Sequence, residues 1–168
     1  MKMDHCYTYV FAIVIAFFSW LAFYLGNRIE SWLEQPEALI GGVWAMITTI
    51  MVSEAIYNDT IKAGYQRILG AFLGALISVV ICTLFGYGVL QMISSVFLSF
   101  CVMKIIKIGK TVRISAATAG IIAGHGITAP QVVPWVGGSV RFLTTVIGAL
   151  FAIIGAYLLK MLWHKFNH

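Results

Sequence analysis

Six apolar stretches, at about 7–26, 37–57, 67–85, 89–104, 112–128 and 141–162, take up most of a 168-residue chain. Crossing the hydrocarbon of a bilayer takes about 20 consecutive apolar residues, so each stretch reads as a transmembrane helix. Composition removes the alternative of a water-soluble core. Charged residues make up 10% of the chain and hydrophobic ones 61%, whereas a soluble domain carries roughly 25% charged residues. Such a chain cannot cover its own surface with polar groups, so lipid must cover it. Too little sequence is left over for a soluble domain of useful size, which places any function inside the membrane. The expected class is an all-α membrane protein of six transmembrane helices.

The first stretch follows MKMDH. Its apolar run is too long for the core of a signal peptide and no small-x-small cleavage site follows, so it reads as a retained helix. Cys6, Cys82 and Cys101 have no evident partners and are expected to be free thiols.

Charge sets the orientation. With six spans both termini share one side, and that side holds nine basic residues: Lys2, Lys62, Arg67, Lys104, Lys107, Lys110, Arg113, Lys160 and Lys165. The other side holds two, Arg28 and Arg141, with Glu30, Glu34 and Glu37 in the loop after the first helix. Lys and Arg favour the cytoplasmic face, so both termini are expected in the cytoplasm. The same distribution accounts for a pI near 9.2. The positive charge follows topology and faces lipid headgroups, which removes nucleic acid as the expected partner.

The chain also repeats itself. Shifted by 74 positions, Gly64 falls on Gly138, Arg67 on Arg141, Leu69 on Leu143, and Gly74-Ala75-Leu76 on Gly148-Ala149-Leu150. The shift carries the third helix onto the sixth and the second onto the fifth. A three-helix unit, repeated, enters the membrane from the opposite side. The expectation is an inverted 3+3 repeat, with 7–85 as the first half and 89–162 as the second within one transmembrane domain. Transporters use this plan, with the substrate near the midplane at the repeat interface.

Small residues recur every fourth position in the third helix (Gly70, Gly74, Ser78, Cys82, Gly86) and in the sixth (Thr144, Gly148, Ala152, Ala156). Such stripes let helix backbones approach closely in lipid, and Gly70, Gly74 and Gly148 read as packing positions. Arg67 and Arg141 are expected at the starts of their helices. There they either snorkel to the interface or, set against the helix dipole, clamp a carboxylate at each mouth of a pathway. Helices two and five carry the stronger site signal. The second has Gly41-Gly42, then Trp44, Thr48, Thr49, Ser53 and Glu54. The fifth has Ser115, Thr118 and His125 among Gly120, Gly124 and Gly126. A partly unwound fifth helix would offer backbone N–H groups to an anion. Glu54 reads as the one acid, and His125 as the one histidine, inside a span. Glu54 either pairs with Lys62 or carries a proton, and His125 either bonds a freed carbonyl or titrates in coupling.

No catalytic machinery can be assembled. The chain has no nucleotide loop, no Ser-His-Asp set and no paired carboxylates. His164 and His168 stand four apart without the glutamate of a metalloprotease motif. No enzyme activity, cofactor or metal is expected.

The stretch WAMITTIMVSEAIYNDTIKAGYQRILGAFLGALIS (44–78) resembles the fusaric-acid-resistance-like and aromatic acid exporter (FUSC-like) family. There a Trp-led W-A-x-I-T helix runs into a Q-R-I-L-G-x-x-x-G-A helix start. Trp44, Ala45, Ile47, Thr48, Gln66, Arg67, Ile68, Leu69, Gly70, Gly74 and Ala75 match. The plant aluminium-activated malate channels look like distant relatives. The resemblance implies a transporter in the bacterial inner membrane that exports small aromatic or other organic anions. An anion channel on the same scaffold, or a non-transporting scaffold subunit, stands as the alternative. Family members usually add a cytoplasmic domain or a second six-helix set. This chain shows neither, and it has Asn58 and Asp59 where members carry more basic residues, so a homo-oligomer is expected to complete the pathway.

Overall fold

The computed structural model describes residues 5–32, 39–106 and 111–166. Lys2, Glu34, Glu37, Lys107, Lys110 and His168, which entered the charge and metal readings, lie outside them, as do the side chains of Cys6, His164 and Lys165. The described residues form six α-helices and no strand: α1 (His5–Trp32), α2 (Leu39–Val52), α3 (Tyr57–Phe85), α4 (Val89–Ile105), α5 (Val112–Thr128) and α6 (Pro134–Phe166).

Length separates these helices. Within α1, α3 and α6, the segments Tyr7–Trp32, Tyr57–Phe85 and Pro134–Trp163 are long and apolar enough to cross a membrane. The 14 residues of α2 rise only about 21 Å at 1.5 Å per residue, short of a hydrocarbon core of about 30 Å. Helices α4 and α5 have 17 residues each. Six helices are present, and three have the length of a full span.

Each boundary has a local cause. The N-terminus of α2 is capped from α1: the Gly41 N–H donates to the Glu30 carboxylate, and the Gly42 N–H donates to Asn27 Oδ1 at 3.1 Å. This satisfies two of the donors that a helix start leaves over. The contact needs glycine, because a Cβ on Gly42 would overlap Asn27, and one on Gly26 would lie 2.9 Å from the Gly41 oxygen. Helix α3 stops at Gly86, whose φ of 76° suits a left-handed cap that L side chains disfavour. The Gly86 N–H donates to the Cys82 carbonyl at 2.9 Å. Pro134 opens α6, where its missing N–H costs nothing.

By internal contacts the chain forms two units, one of residues 1–65 with 146–168, the other of residues 66–145. In the first, α1 packs on α2, and the later part of α6 lies on both. Gly148 meets Ala45 and Thr48 of α2, and Gly155 meets Phe18 of α1. In the second, α4 packs on α5, Gly74 of α3 meets Ser115 and Thr118 of α5, and Gly138 of α6 meets Val79 of α3.

The cores are built from small side chains. Ala22, Ala45, Ala119 and Ala149 are fully covered, and so are Ser78, Ser95, Ser99 and Ser115. Large apolar side chains point outward instead, among them Trp20, Phe97, Leu84 and Leu90. A soluble protein does the reverse. The arrangement suits a lipid solvent, in which burial of bulk apolar groups drives nothing and close backbone packing holds helices together.

Candidate functional site

The glycine stripe of α3 faces inward. Gly70, Gly74, Ser78 and Cys82 are all buried, and Gly86 departs from it as the exposed turn residue after the helix. A Cβ on Gly74 would overlap the Ser115 carbonyl oxygen and come within 3.0 Å of Thr118 Cβ. On α6, a Cβ on Gly148 would lie 2.5 Å from the Ala45 carbonyl oxygen and 2.7 Å from Thr48 Cβ. Each glycine thus rests on one backbone carbonyl and on the threonine three residues further along. From the first contact to the second, the glycines differ by 74 positions (148 − 74) and the threonines by 70 (118 − 48). Thr49 adds a bond beside the second contact, its Oγ1 lying 3.0 Å from the Ala45 carbonyl and 3.1 Å from that of Gly148.

Each of these glycines follows an arginine by seven residues in sequence, Arg67 on α3 and Arg141 on α6. Neither arginine starts its helix. Arg67 lies ten residues past Tyr57, about 15 Å along α3, and Arg141 seven past Pro134, about 10 Å along α6. The dipole acts within the first turn, so the expected conflict with it is absent at both. Arg141 is only 5% exposed, so protein covers its head and it does not extend to an interface. Arg67 is half-buried. Both belong to the 66–145 unit. The Thr144 and Thr145 hydroxyls donate to the Arg141 carbonyl at 3.1 and 2.9 Å, which ties the backbone under the guanidinium.

The charge around them has one sign. Residues 66–145 contain six basic residues (Arg67, Lys104, Lys107, Lys110, Arg113, Arg141) and no aspartate or glutamate. All six acids of the chain lie in 1–65.

Buried hydroxyls stand on α5. Ser115 and Thr118 are buried in the middle of α5, and Thr111 at its start. Among the described residues, the hydroxyls of Thr111 and Ser115 have no hydrogen-bond partner, nor does that of Thr48 in the other unit. A buried polar group left unpaired costs about 1–3 kcal/mol. Such groups invite a polar guest.

Other expected site residues stand apart. Glu54 follows the end of α2 and is exposed, as is Lys62. Only its backbone is engaged, its N–H donating to Thr60 Oγ1 at 3.0 Å and its carbonyl accepting from the same hydroxyl. His125 is half-buried in the last turn of α5, about 15 Å beyond Ser115 along the helix. Helix α5 runs unbroken from Val112 to Thr128, so its glycines serve packing, as at Gly126 against the Tyr87 ring, and do not unwind it. Trp44 is half-buried on α2.

Sequence reading missed Glu30, assigned to a loop but buried within α1 at the start of α2. The signal was present: Asn27 and Glu30 share a helix face and precede Gly41-Gly42, a polar pair followed by backbone able to come close. It also missed Tyr87, whose hydroxyl donates to the Val132 carbonyl at 2.7 Å and fastens the α5–α6 connection.

Helices with small-residue cores and large apolar side chains turned outward define a helical membrane protein. The chain belongs to the fusaric acid resistance protein-like family, a family of membrane transport proteins, whose model matches residues 29–155. No curated protein and no solved structure matches it.

Proposed function

We propose that this protein carries small organic anions, aromatic carboxylates foremost, out across the bacterial inner membrane. The observation that carries the reading is the pair Arg67 and Arg141, one of them covered by protein, in a unit of six basic residues and no acid. Charge of one sign behind low-dielectric walls concentrates counter-ions. A guanidinium offers a planar fork that grips a carboxylate through two hydrogen bonds. Ser115 and Thr118, buried in the same unit, supply hydroxyls for the rest of the anion. Glu54, just past the end of α2, and His125, in the last turn of α5, are the candidate proton carriers of this reading.

The architecture of this reading is an inverted 3+3 repeat with both termini in the cytoplasm and the halves at 7–85 and 89–162. Its support is the equivalence of the Gly74 and Gly148 contacts, together with the shortness of α2 and α5, since transporter sites are built where spans are interrupted. A homo-oligomer completes the pathway. The test is flux of aromatic and aliphatic carboxylates in proteoliposomes, with and without a pH gradient. Carboxylate flux that responds to the gradient is expected. Unitary currents indifferent to pH would make the protein a channel, and no flux of any carboxylate would remove the reading.

A further inference from the structure

The surface of the 66–145 unit carries a groove of about 740 Å³ between α4 and α5. Met92, Phe97 and Phe100 form one wall and Ala117 and Gly120 the other, and Arg113 lines it too. The floor is low because α5 presents small residues there: a Cβ on Gly120 would already stand 3.1 Å from Val96. Arg113 is exposed and lies in the first turn of α5, whose N-cap Thr111 makes no side-chain cap bond. The segment 104–113 holds Lys104, Lys107, Lys110 and Arg113 and no acid.

The other unit provides a built-in comparison. Between α1 and α2 lies a groove of about 700 Å³, lined by Trp20, Phe23 and Ile50 among others. Among the described residues, serines are the polar ones that line it, and no cation does. The two grooves match in size and apolar character and differ in charge.

We propose that the α4–α5 groove is a binding site for an anionic phospholipid. The acyl chains lie along the apolar walls, and the headgroup phosphate meets Arg113. Charge complementarity selects this occupant, since a basic residue at the end of an interhelical groove recognises an anionic headgroup and a guanidinium pairs phosphate oxygens in its fixed fork. The α1–α2 groove takes lipid without regard to headgroup. The proposal stands on the membrane setting alone and does not depend on what the protein transports.

Native mass spectrometry of the intact protein, released from detergent with added phosphatidylglycerol or phosphatidylcholine, tests it. Wild type should retain phosphatidylglycerol over phosphatidylcholine by about fivefold or more. Arg113→Gln, at an exposed position, should abolish that preference while leaving the melting temperature unchanged. Ala117→Trp, which fills the groove from its open side, should lower retention of phosphatidylglycerol. Ala16→Trp, in the uncharged groove, should leave the preference intact. Equal retention of both lipids by wild type would overturn the proposal, as would a preference that survives Arg113→Gln. Inorganic phosphate that displaces the lipid at millimolar concentration would mark a headgroup-only site and defeat the groove. An oligomer that dissociates on Ala117→Trp would assign the groove to a second copy of the chain instead.

Discussion

At Arg141 the chain holds a cation under protein cover on α6. Lysine there and at Arg67 keeps the charge and loses the fork. If the arginines grip a carboxylate, Arg67→Lys and Arg141→Lys should insert and fold but transport with apparent affinity lowered about tenfold, from a lost charge-assisted bond worth about 1–2 kcal/mol. Concentration dependence of flux measures this, and wild-type curves in both variants would return the residues to a structural role. Tyr87 offers a second test. Tyr87→Phe removes its bond to Val132 and should cost about 1 kcal/mol in a melting experiment. Tyr87 lies outside the spanning segments, and burial first, then the charge of Cys82, pushes its hydroxyl above the usual tyrosine range. The folded state therefore holds this proton more tightly than the unfolded chain. That stability is complete below about pH 10 and is lost as pH rises from there through the folded value. Melting temperature should fall above pH 10 in wild type, and less steeply in the phenylalanine variant.

At the scale of helices, the glycine contacts are the strongest constraint. Gly74→Leu and Gly148→Leu each push a side chain into a carbonyl and a threonine, and overpacking costs about 1–3 kcal/mol or more. Both variants should melt lower in detergent by comparable amounts. Two variants as stable as wild type would show that these helices do not touch there. The stripes were legible in the sequence because a four-residue recurrence of small side chains has one main use in lipid. In the proposed repeat α2 corresponds to α5. The shift of 74 that aligns α3 with α6 sets Thr48 against Ile122, whereas the contacts pair it with Thr118. Four residues are about one helical turn, so a misaligned helix still presents the same face. The continuity of α5 was not legible, since its glycines suggest unwinding by composition and only their neighbours reveal packing. Nor were the true starts of α3 and α6, because polar first turns such as Tyr57-Asn58-Asp59 look like loop.

For the whole molecule, the count of basic residues predicts which ends face the cytoplasm. In a cysteine-free background, a cysteine at 137 should react with an impermeant reagent on intact cells, and one at 166 only after lysis. Reaction at 166 from outside would reverse or shorten the topology. Composition made the lipid setting of this chain readable at once, because 10% charge leaves too few polar groups to cover a surface in water. The number of full crossings was less readable, since a stretch read as apolar to 57 holds the polar pair Ser53-Glu54, and α2 stops before it at Val52.

The two units differ in how the chain supplies them. Residues 66–145 are contiguous, whereas the other unit joins 1–65 to 146–168. During synthesis the contiguous unit is complete once Thr145 has left the ribosome. The α1–α2 pair must wait in the bilayer until the last helix arrives, with Ala45, Thr48 and Thr49 bare where Gly148 will lie. The earliest-made helices are thus among the last to be finished. A quality-control protease that recognises hydroxyls exposed to lipid would find its target there, in the interval before the final helix closes over them.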